Sequence, residues 1–328
     1  MSDLRANLGT DLRHELAGLA LATPLLTASG CAGTGRELEP FTDLDESGPI
    51  GAFVTRTITL DPLPGPDGPR VVETPSGLLH AVGRQNPGLQ GFLATELPWL
   101  AQRRVRTVVS IAGGTLAEWA ELARRLGTSP GVDAVEVDLS AANREAHGRP
   151  YGADTYPTGK VLHVVRRDLP RGVPVLAKLV PESPLVDVAR AAVDNGADGL
   201  VVGHGPTALA LDPDTLVPAL AAPAALSGPA LRGPALRRVY DVRSALPEVP
   251  LVGGGGIGSG ADALAFLAAG ADAVQVGSVL FRDPGALARI AAELAAELAR
   301  RDLTLTDVVG LAHRQADPPT PTAPGGLA

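Results

Sequence analysis

Short apolar runs recur along the chain at 24–28, 51–55, 105–111, 134–139, 173–179, 199–202, 250–252 and 273–276. They lack the apolar–polar alternation of a half-exposed sheet. The eight runs therefore read as strands buried on both faces, the habit of parallel sheets. Helical patterns separate most of them. Residues 116–126 carry apolar residues on one face, with Glu118, Glu121 and Arg124 among the polar positions. Residues 185–195 and 261–269 behave likewise, and each runs into glycine, a natural helix stop. The stretches Asn195-Gly196-Ala197-Asp198-Gly199 and Gly270-Ala271-Asp272-Ala273 are near copies, as a repeated helix-to-strand connection requires.

Eight strand–helix units predict an α/β fold, a (β/α)8 TIM barrel in a single domain over residues 1–316. A doubly wound open sheet uses the same alphabet, and the count of eight favours the barrel. Residues 61–104, after strand two, exceed an ordinary connection. They hold Pro62, Pro64, Pro66 and Pro69, then Thr74-Pro75-Ser76-Gly77. A long insertion at the C-terminal face of a barrel is expected to belong to the active site. Residues 317–328, rich in proline, threonine and glycine, are expected to form a mobile tail.

Composition then narrows the function. Apolar residues are 45% of the 328, enough for a large core, and aromatics only 3%, so that core rests on alanine, valine and leucine. The 28 Lys and Arg against 36 Asp and Glu give a net charge of −8, which argues against nucleic-acid binding driven by a basic surface. Cys31 is the single cysteine. It excludes an internal disulfide and any cluster held by this chain's thiolates alone. No apolar run reaches the roughly 18 residues of a membrane span. The first 15 residues mix charges of both signs and lack a signal-peptide core. A cytoplasmic protein without membrane contact is expected.

In a barrel, chemistry gathers at the C-terminal ends of the strands. Ala28-Ser29-Gly30 follows strand one, where small residues let the backbone approach a flat ligand. Strand five ends at Lys178, which either faces an electron-rich ring or phosphate or snorkels from the mouth. Gly253-Gly254-Gly255-Gly256 ends strand seven and Gly277-Ser278 follows strand eight. Backbone N–H groups converging from those two loops make the usual phosphate site of a barrel. No G-x-x-x-x-G-K-[ST] loop is present, and no histidine spacing suits a metal. His204 ends strand six between glycines, His80 lies in the insertion and His147 follows strand four.

These residues together resemble the dihydroorotate dehydrogenases, FMN-dependent (β/α)8 barrels of pyrimidine biosynthesis. The resemblance runs in order over residues 16–284. Its most specific stretch, residues 70–88, reads Arg-Val-Val-Glu-Thr-Pro-Ser-Gly-Leu-Leu-His-Ala-Val-Gly-Arg-Gln-Asn-Pro-Gly. It is similar to R-V-x-E-T-P-x-G-x-x-N-A-I-G-L-Q-N-P-G of the two-subunit, NAD-linked class. The resemblance implies FMN as cofactor, with Ala28, Ser29 and Gly30 against the flavin ring and Lys178 touching it. Ser227 and Gly228 fall near the ribityl chain, and Gly255, Gly256, Gly277 and Ser278 around the phosphate. Arg56, Ser110 and Asp138 complete the expected cofactor contacts.

The substrate side departs from the pattern. The family segment E-x-N-x-S-C-P-N is Glu136-Val137-Asp138-Leu139-Ser140-Ala141-Ala142-Asn143 here. Its cysteine is the family's proton-abstracting base, and Ala141 stands in that place. Asp138, His80 and His204 replace asparagines, Gly205 replaces a threonine, and Arg56 replaces the lysine of T-K-x-x-T. The resemblance thus implies a substrate site of Arg56, His80, Gly83, Asn143 and His204. His204 or His80 is expected to take over the base role, since imidazole titrates near neutrality. Ser140, one position before the cysteine place, is a third candidate. The implied partners are a small-molecule substrate, a second copy in a homodimer, and a separate subunit carrying FAD and an iron–sulfur cluster. Three functions are compatible with this sequence. They are a dihydroorotate dehydrogenase with a new base, a relative acting on another small carboxylate or pyrimidine-like substrate, and a catalytically inactive flavin-binding paralogue.

Overall fold

The computed structural model describes residues 9–46, 48–181, 183–220 and 223–314; the expected tail at 317–328 lies outside them. A hairpin of β1 (His14–Leu16) and β2 (Leu19–Leu21) precedes β3 (Leu25–Thr27) and β4 (Phe53–Val54). The insertion supplies β5 (Val71–Thr74) and β6 (Gly77–His80), followed by β7 (Thr107–Ile111), β8 (Ala134–Asp138), β9 (Val175–Lys178) and β10 (Gly199–Val202). A second excursion adds β11 (Thr207–Ala208) and β12 (Ala224–Ser227) before β13 (Leu251–Gly254) and β14 (Ala273–Val276).

All eight predicted strands enter one parallel sheet in the order β3-β14-β13-β10-β9-β8-β7-β4. Gly51 N–H donates to the Leu25 carbonyl at 2.8 Å and Thr27 N–H to the Ala52 carbonyl at 3.2 Å. Those bonds join the first strand to the segment entering the second and close the barrel. The predicted helices appear as α1 (Leu116–Leu126), α2 (Leu185–Asp194) and α3 (Gly260–Ala268). In α1 the Thr115 hydroxyl accepts from Glu118 N–H, and Trp119, Leu122, Ala123 and Leu126 are buried. This is an N-capped amphipathic helix.

Period-two alternation decides what fills the barrel. Leu26, Val108, Ala134, Leu176, Val201, Val252 and Ala273 form one apolar cluster with Leu16, Leu19 and Leu21 of the leading hairpin. The hairpin thereby plugs the N-terminal end. Two residues further along their strands, the same interior face carries buried Ser110, Glu136, Lys178 and Gln275. The interior thus turns from apolar to polar toward the C-terminal mouth. No helix among the described residues is long and apolar enough to cross a membrane.

The insertion is more ordered than a loop. Its β5–β6 hairpin pairs with β12, which pairs with β11, giving an antiparallel sheet in the order β11-β12-β6-β5. The sequence reading contains no strand between 203 and 249. β12 is Ala-Ala-Leu-Ser, with neither β-branched residues nor clean alternation, so its neighbours dictate the pairing. The rest of the insertion returns to the barrel through a helical turn, Gly88–Gly91, a π-helix, Phe92–Glu96, and a helix, Leu97–Arg103. These bury Leu89, Phe92, Leu97 and Leu100.

Candidate active site

A cavity opens at the barrel mouth, between the strand ends and the antiparallel sheet above them. Of the sequence-predicted residues, Ala28, Ser29, Gly30, His80, Lys178, His204, Ser227, Gly228, Gly255, Gly256, Gly277 and Ser278 all line it. They come from seven separate stretches of chain, which the closed barrel brings to one mouth. Gly256 shows why glycine is needed there. At φ +76° it occupies the left-handed region, and an added Cβ would lie 2.8 Å from Arg232 N and 2.9 Å from the Gly228 carbonyl. Among the described residues, the N–H groups of Gly255, Gly256 and Ile257 donate to no backbone carbonyl. This leaves a cluster of donors of the kind that receives an anion.

Lys178, 8% exposed, is held by a buried polar network. Its Nζ lies 3.3 Å from Glu136 Oε1 and 3.5 Å from Gln275 Oε1. Gln275 Nε2 donates to Glu136 Oε2 at 2.6 Å, and Ser110 Oγ donates to Glu136 Oε1 at 3.1 Å. The hydroxyls of Ser110, Thr57 and Ser29 follow at 3.1 and 3.2 Å. Glu136 is fully buried, and an isolated carboxylate there would be prohibitive, so its three donors, Ser110, Gln275 and the charged Lys178, are what make it tenable. Ser110 thus reaches the cavity indirectly, through Glu136 and Thr57. Sequence reasoning missed Glu136 and Gln275 as site residues. The signal for both was a long polar side chain inside an otherwise apolar strand.

Two imidazoles line the cavity. His204 Nδ1 lies 2.9 Å from the Gly205 carbonyl, which can only accept. That bond puts the proton of the neutral ring on Nδ1 and leaves the Nε2 lone pair available. Gly205 itself sits under β12, since a Cβ there would lie 2.1 Å from the Leu226 carbonyl. His80 ends β6; burial, and then the positive charge of His204 and Lys178, lowers its pKa and favours the neutral ring.

The remaining predicted residues stand outside the cavity wall. Asp138, 6% exposed, accepts Arg84 Nε–H at 2.9 Å. It also accepts Ser140 N–H at 3.0 Å and Ser140 Oγ–H at 2.6 Å. Burial pushes its carboxyl up. Arg84, then His204, Ser140 and Lys178, more than offset this and hold it well below the usual carboxylate range. The Ser140 hydroxyl also accepts from Arg84 Nη2 at 2.7 Å, so both its donor and acceptor capacities are already engaged. Arg56 turns toward Glu96 of the π-helix at 3.8 Å. Gly83 lies in the insertion against Pro66. Asn143 accepts from Glu145 N–H at 3.0 Å and lines a different cavity with Tyr151, Arg149 and Lys160. Ala141 is 3% exposed, a member of the main apolar core.

The family model for dihydroorotate dehydrogenase matches residues 11–298. This chain belongs to that family. It is 42% identical over 302 residues to the catalytic subunit of the NAD(+)-linked dihydroorotate dehydrogenase B of Desulforudis audaxviator, covering 91% of this chain and 96% of that protein. The subunit of the same name from Pelobacter propionicus is 42% identical over 86% of this chain and 91% of its own length. That of Geobacter sulfurreducens is 42% identical over 88% and 93%. Membership makes the chain an oxidoreductase of CH–CH groups and a flavoprotein.

Proposed function

We propose that this protein is an FMN-dependent oxidoreductase of the dihydroorotate dehydrogenase type in which His204 serves as the base in place of the family cysteine. The observation that carries the proposal is the joint placement of His204, His80, Lys178 and the glycine loops around one cavity, while Ala141 is packed in the core. The residues fit the cofactor. Ser227 Oγ faces the cavity buried and without a hydrogen-bond partner among the described residues. An unsatisfied buried group of that kind costs about 1–3 kcal/mol unless a ligand meets it. Gly255, Gly256, Gly277 and Ser278 would hold the phosphate, Ser227 and Gly228 the ribityl chain, and Ala28, Ser29, Gly30 and Lys178 the ring.

When bound, FMN supplies the two-electron acceptor chemistry. His204 Nε2 takes the proton from the substrate carbon next to the one that loses hydride, so a C–C single bond becomes double. The Gly205 carbonyl holds the imidazole in the tautomer this requires. Lys178 supplies positive charge where negative charge accumulates on reduction. His80, held neutral by burial, hydrogen-bonds the substrate from the antiparallel sheet. Arg56 binds a substrate carboxylate once it leaves Glu96, where its Nε is buried without a hydrogen bond among the described residues. The reaction runs in the cytoplasm. Its electrons leave through a separate FAD and iron–sulfur subunit, since Cys31 alone cannot hold a cluster.

The test is anaerobic mixing of the purified FMN-loaded protein with dihydroorotate. Bleaching of the flavin band, lost in His204→Ala, is the expected result. No bleaching alongside normal dithionite reduction would overturn the dihydroorotate reading. It would favour the second reading, a relative acting on another small carboxylate. The replacement of asparagine by His80, Asp138 and His204 around one site supports that alternative.

A further inference from the structure

Arg84 and Asp138 lie 54 residues apart, one in the insertion and one at the C-terminal end of β8, and they make a half-buried ion pair at 2.9 Å. The Ser140 hydroxyl completes a closed set: it accepts from Arg84 and donates to Asp138. Oδ1 of Asp138 accepts twice from Ser140 and Oδ2 once from Arg84. This geometry fixes the carboxylate rigidly and leaves it no free rotation toward the cavity. Its register partner is Lys178, whose neighbour on the next strand is Val201, three residues before His204. Lys178 lines the same cavity as His204, so the ion pair stands one strand behind the wall that carries the imidazole. The motif similar to residues 70–88 has leucine where Arg84 stands, and the motif after strand four has asparagine where Asp138 stands, so two neutral residues correspond to one charge-balanced pair.

We propose that Arg84 and Asp138 act as a tuning pair for His204, with Asp138 stabilising the protonated imidazole and Arg84 limiting how strongly it does so. The inference rests on His204 being the base. Lys178 at the end of β9 and His80 at the end of β6 line the cavity with His204, and Asp138 at the end of β8 adjoins Lys178 in register. Lys178 is itself neutralised by Glu136, and Asp138 by Arg84. With Lys178 balanced in this way, Asp138 is the group whose charge can be raised or lowered without touching the cavity wall. Removing Arg84 exposes His204 to an uncompensated carboxylate and raises its proton affinity. Removing the charge of Asp138 lowers it. Removing both returns it close to the starting value, because a neutral pair replaces a neutral sum.

The experiment uses the FMN-loaded protein labelled with ¹⁵N-histidine. The His204 ring is followed by NMR as a function of pH, and the pH dependence of flavin reduction is measured in parallel. Asp138→Asn is expected to lower the proton affinity of His204 about ten-fold and Arg84→Leu to raise it by a similar factor, a change of one pH unit in each direction. The double variant Arg84→Leu/Asp138→Asn is expected to return within about two-fold of the parent, a coupling that a purely structural role would not produce. If Asp138→Asn does not fold alone because the half-buried Arg84 is left without its counter-charge, comparing Arg84→Leu with the double variant isolates the same charge. An unchanged His204 titration in every folded variant overturns the proposal. A His204 titration that shifts as expected while the pH profile of flavin reduction stays fixed keeps the tuning pair and removes His204 from the base role.

Discussion

The two halves of the cavity are built from different materials. The half toward β13 and β14 is largely backbone: Gly255 and Gly256 present N–H groups, and Gly277 and Ser278 open a 3₁₀ turn. The half toward β8, β10 and the antiparallel sheet is side chains: His80, His204, and behind them Arg84, Asp138 and Ser140. A backbone cradle depends on glycines at strained or crowded positions, where a change of residue is penalised directly. A side-chain wall can be rewritten, provided charges are replaced in balanced sets, as Arg84 with Asp138 illustrates. The glycine loops are similar to the pattern of the resemblance, whereas His80, Asp138 and His204 depart from it.

The comparison can be tested most severely at His204. His204→Ala is expected to slow flavin reduction by its substrate by about 10²–10⁴-fold, the usual contribution of a general base. Stopped-flow absorption would measure it, and a loss under ten-fold would move the role to His80. Breaking the network that holds Lys178 comes next. Glu136→Gln leaves Lys178 buried beside a neutral amide, and loss of one partner of a buried pair costs about 3–5 kcal/mol. Urea denaturation should register this, and the FMN midpoint potential should rise because the lysine charge is no longer balanced. An unchanged potential would detach Lys178 from the flavin.

A side chain pushed into the backbone cradle has a smaller effect. Gly256→Val must displace Arg232 N or the Gly228 carbonyl. At about 1–3 kcal/mol for overpacking, FMN affinity should fall by about ten- to a hundred-fold, read by flavin fluorescence on titration with FMN. Unaltered affinity with retained circular dichroism would show that the cradle tolerates a Cβ.

The smallest effect lies at the opposite end of the barrel. His14 Nε2 in the plugging hairpin is buried without a hydrogen-bond partner among the described residues. Burial lowers its pKa below the ordinary 6.5, against the opposing pull of Asp272 and Glu15. Between the lowered value and 6.5 the unfolded chain binds more protons than the folded one. Stability from this group is therefore complete above 6.5 and lost as pH falls below it. Urea unfolding between pH 5 and 8 should show that slope, and His14→Gln should flatten it. An identical slope in the variant would assign the dependence to other groups such as His80.

Legibility in the sequence followed the same division. The eight barrel strands, the helices 116–126, 185–194 and 260–268 and the glycine loops were all readable, because each declares itself locally by apolar run, amphipathic period or glycine cluster. The residues behind them were not. β12 has no strand signature, and its pairing with His80, Leu79 and Leu78 is made across more than a hundred residues. Arg56 was expected at the substrate, and the structure turns it toward Glu96, a π-helix residue that no local pattern marks. Asn143 was expected beside the substrate and instead caps the turn 144–146.

The sequence by itself determined the parallel (β/α)8 architecture, the glycine loops at the mouth and the alanine at position 141, since these depend on residue type and short-range spacing. Only the tertiary structure decided which polar side chains meet: Ser110 with Glu136, Lys178 and Gln275, and Arg84 with Asp138 and Ser140. Barrel closure sets those partnerships by bringing distant strands into register. A charge buried at the mouth is tenable only where that register supplies its counter-charge.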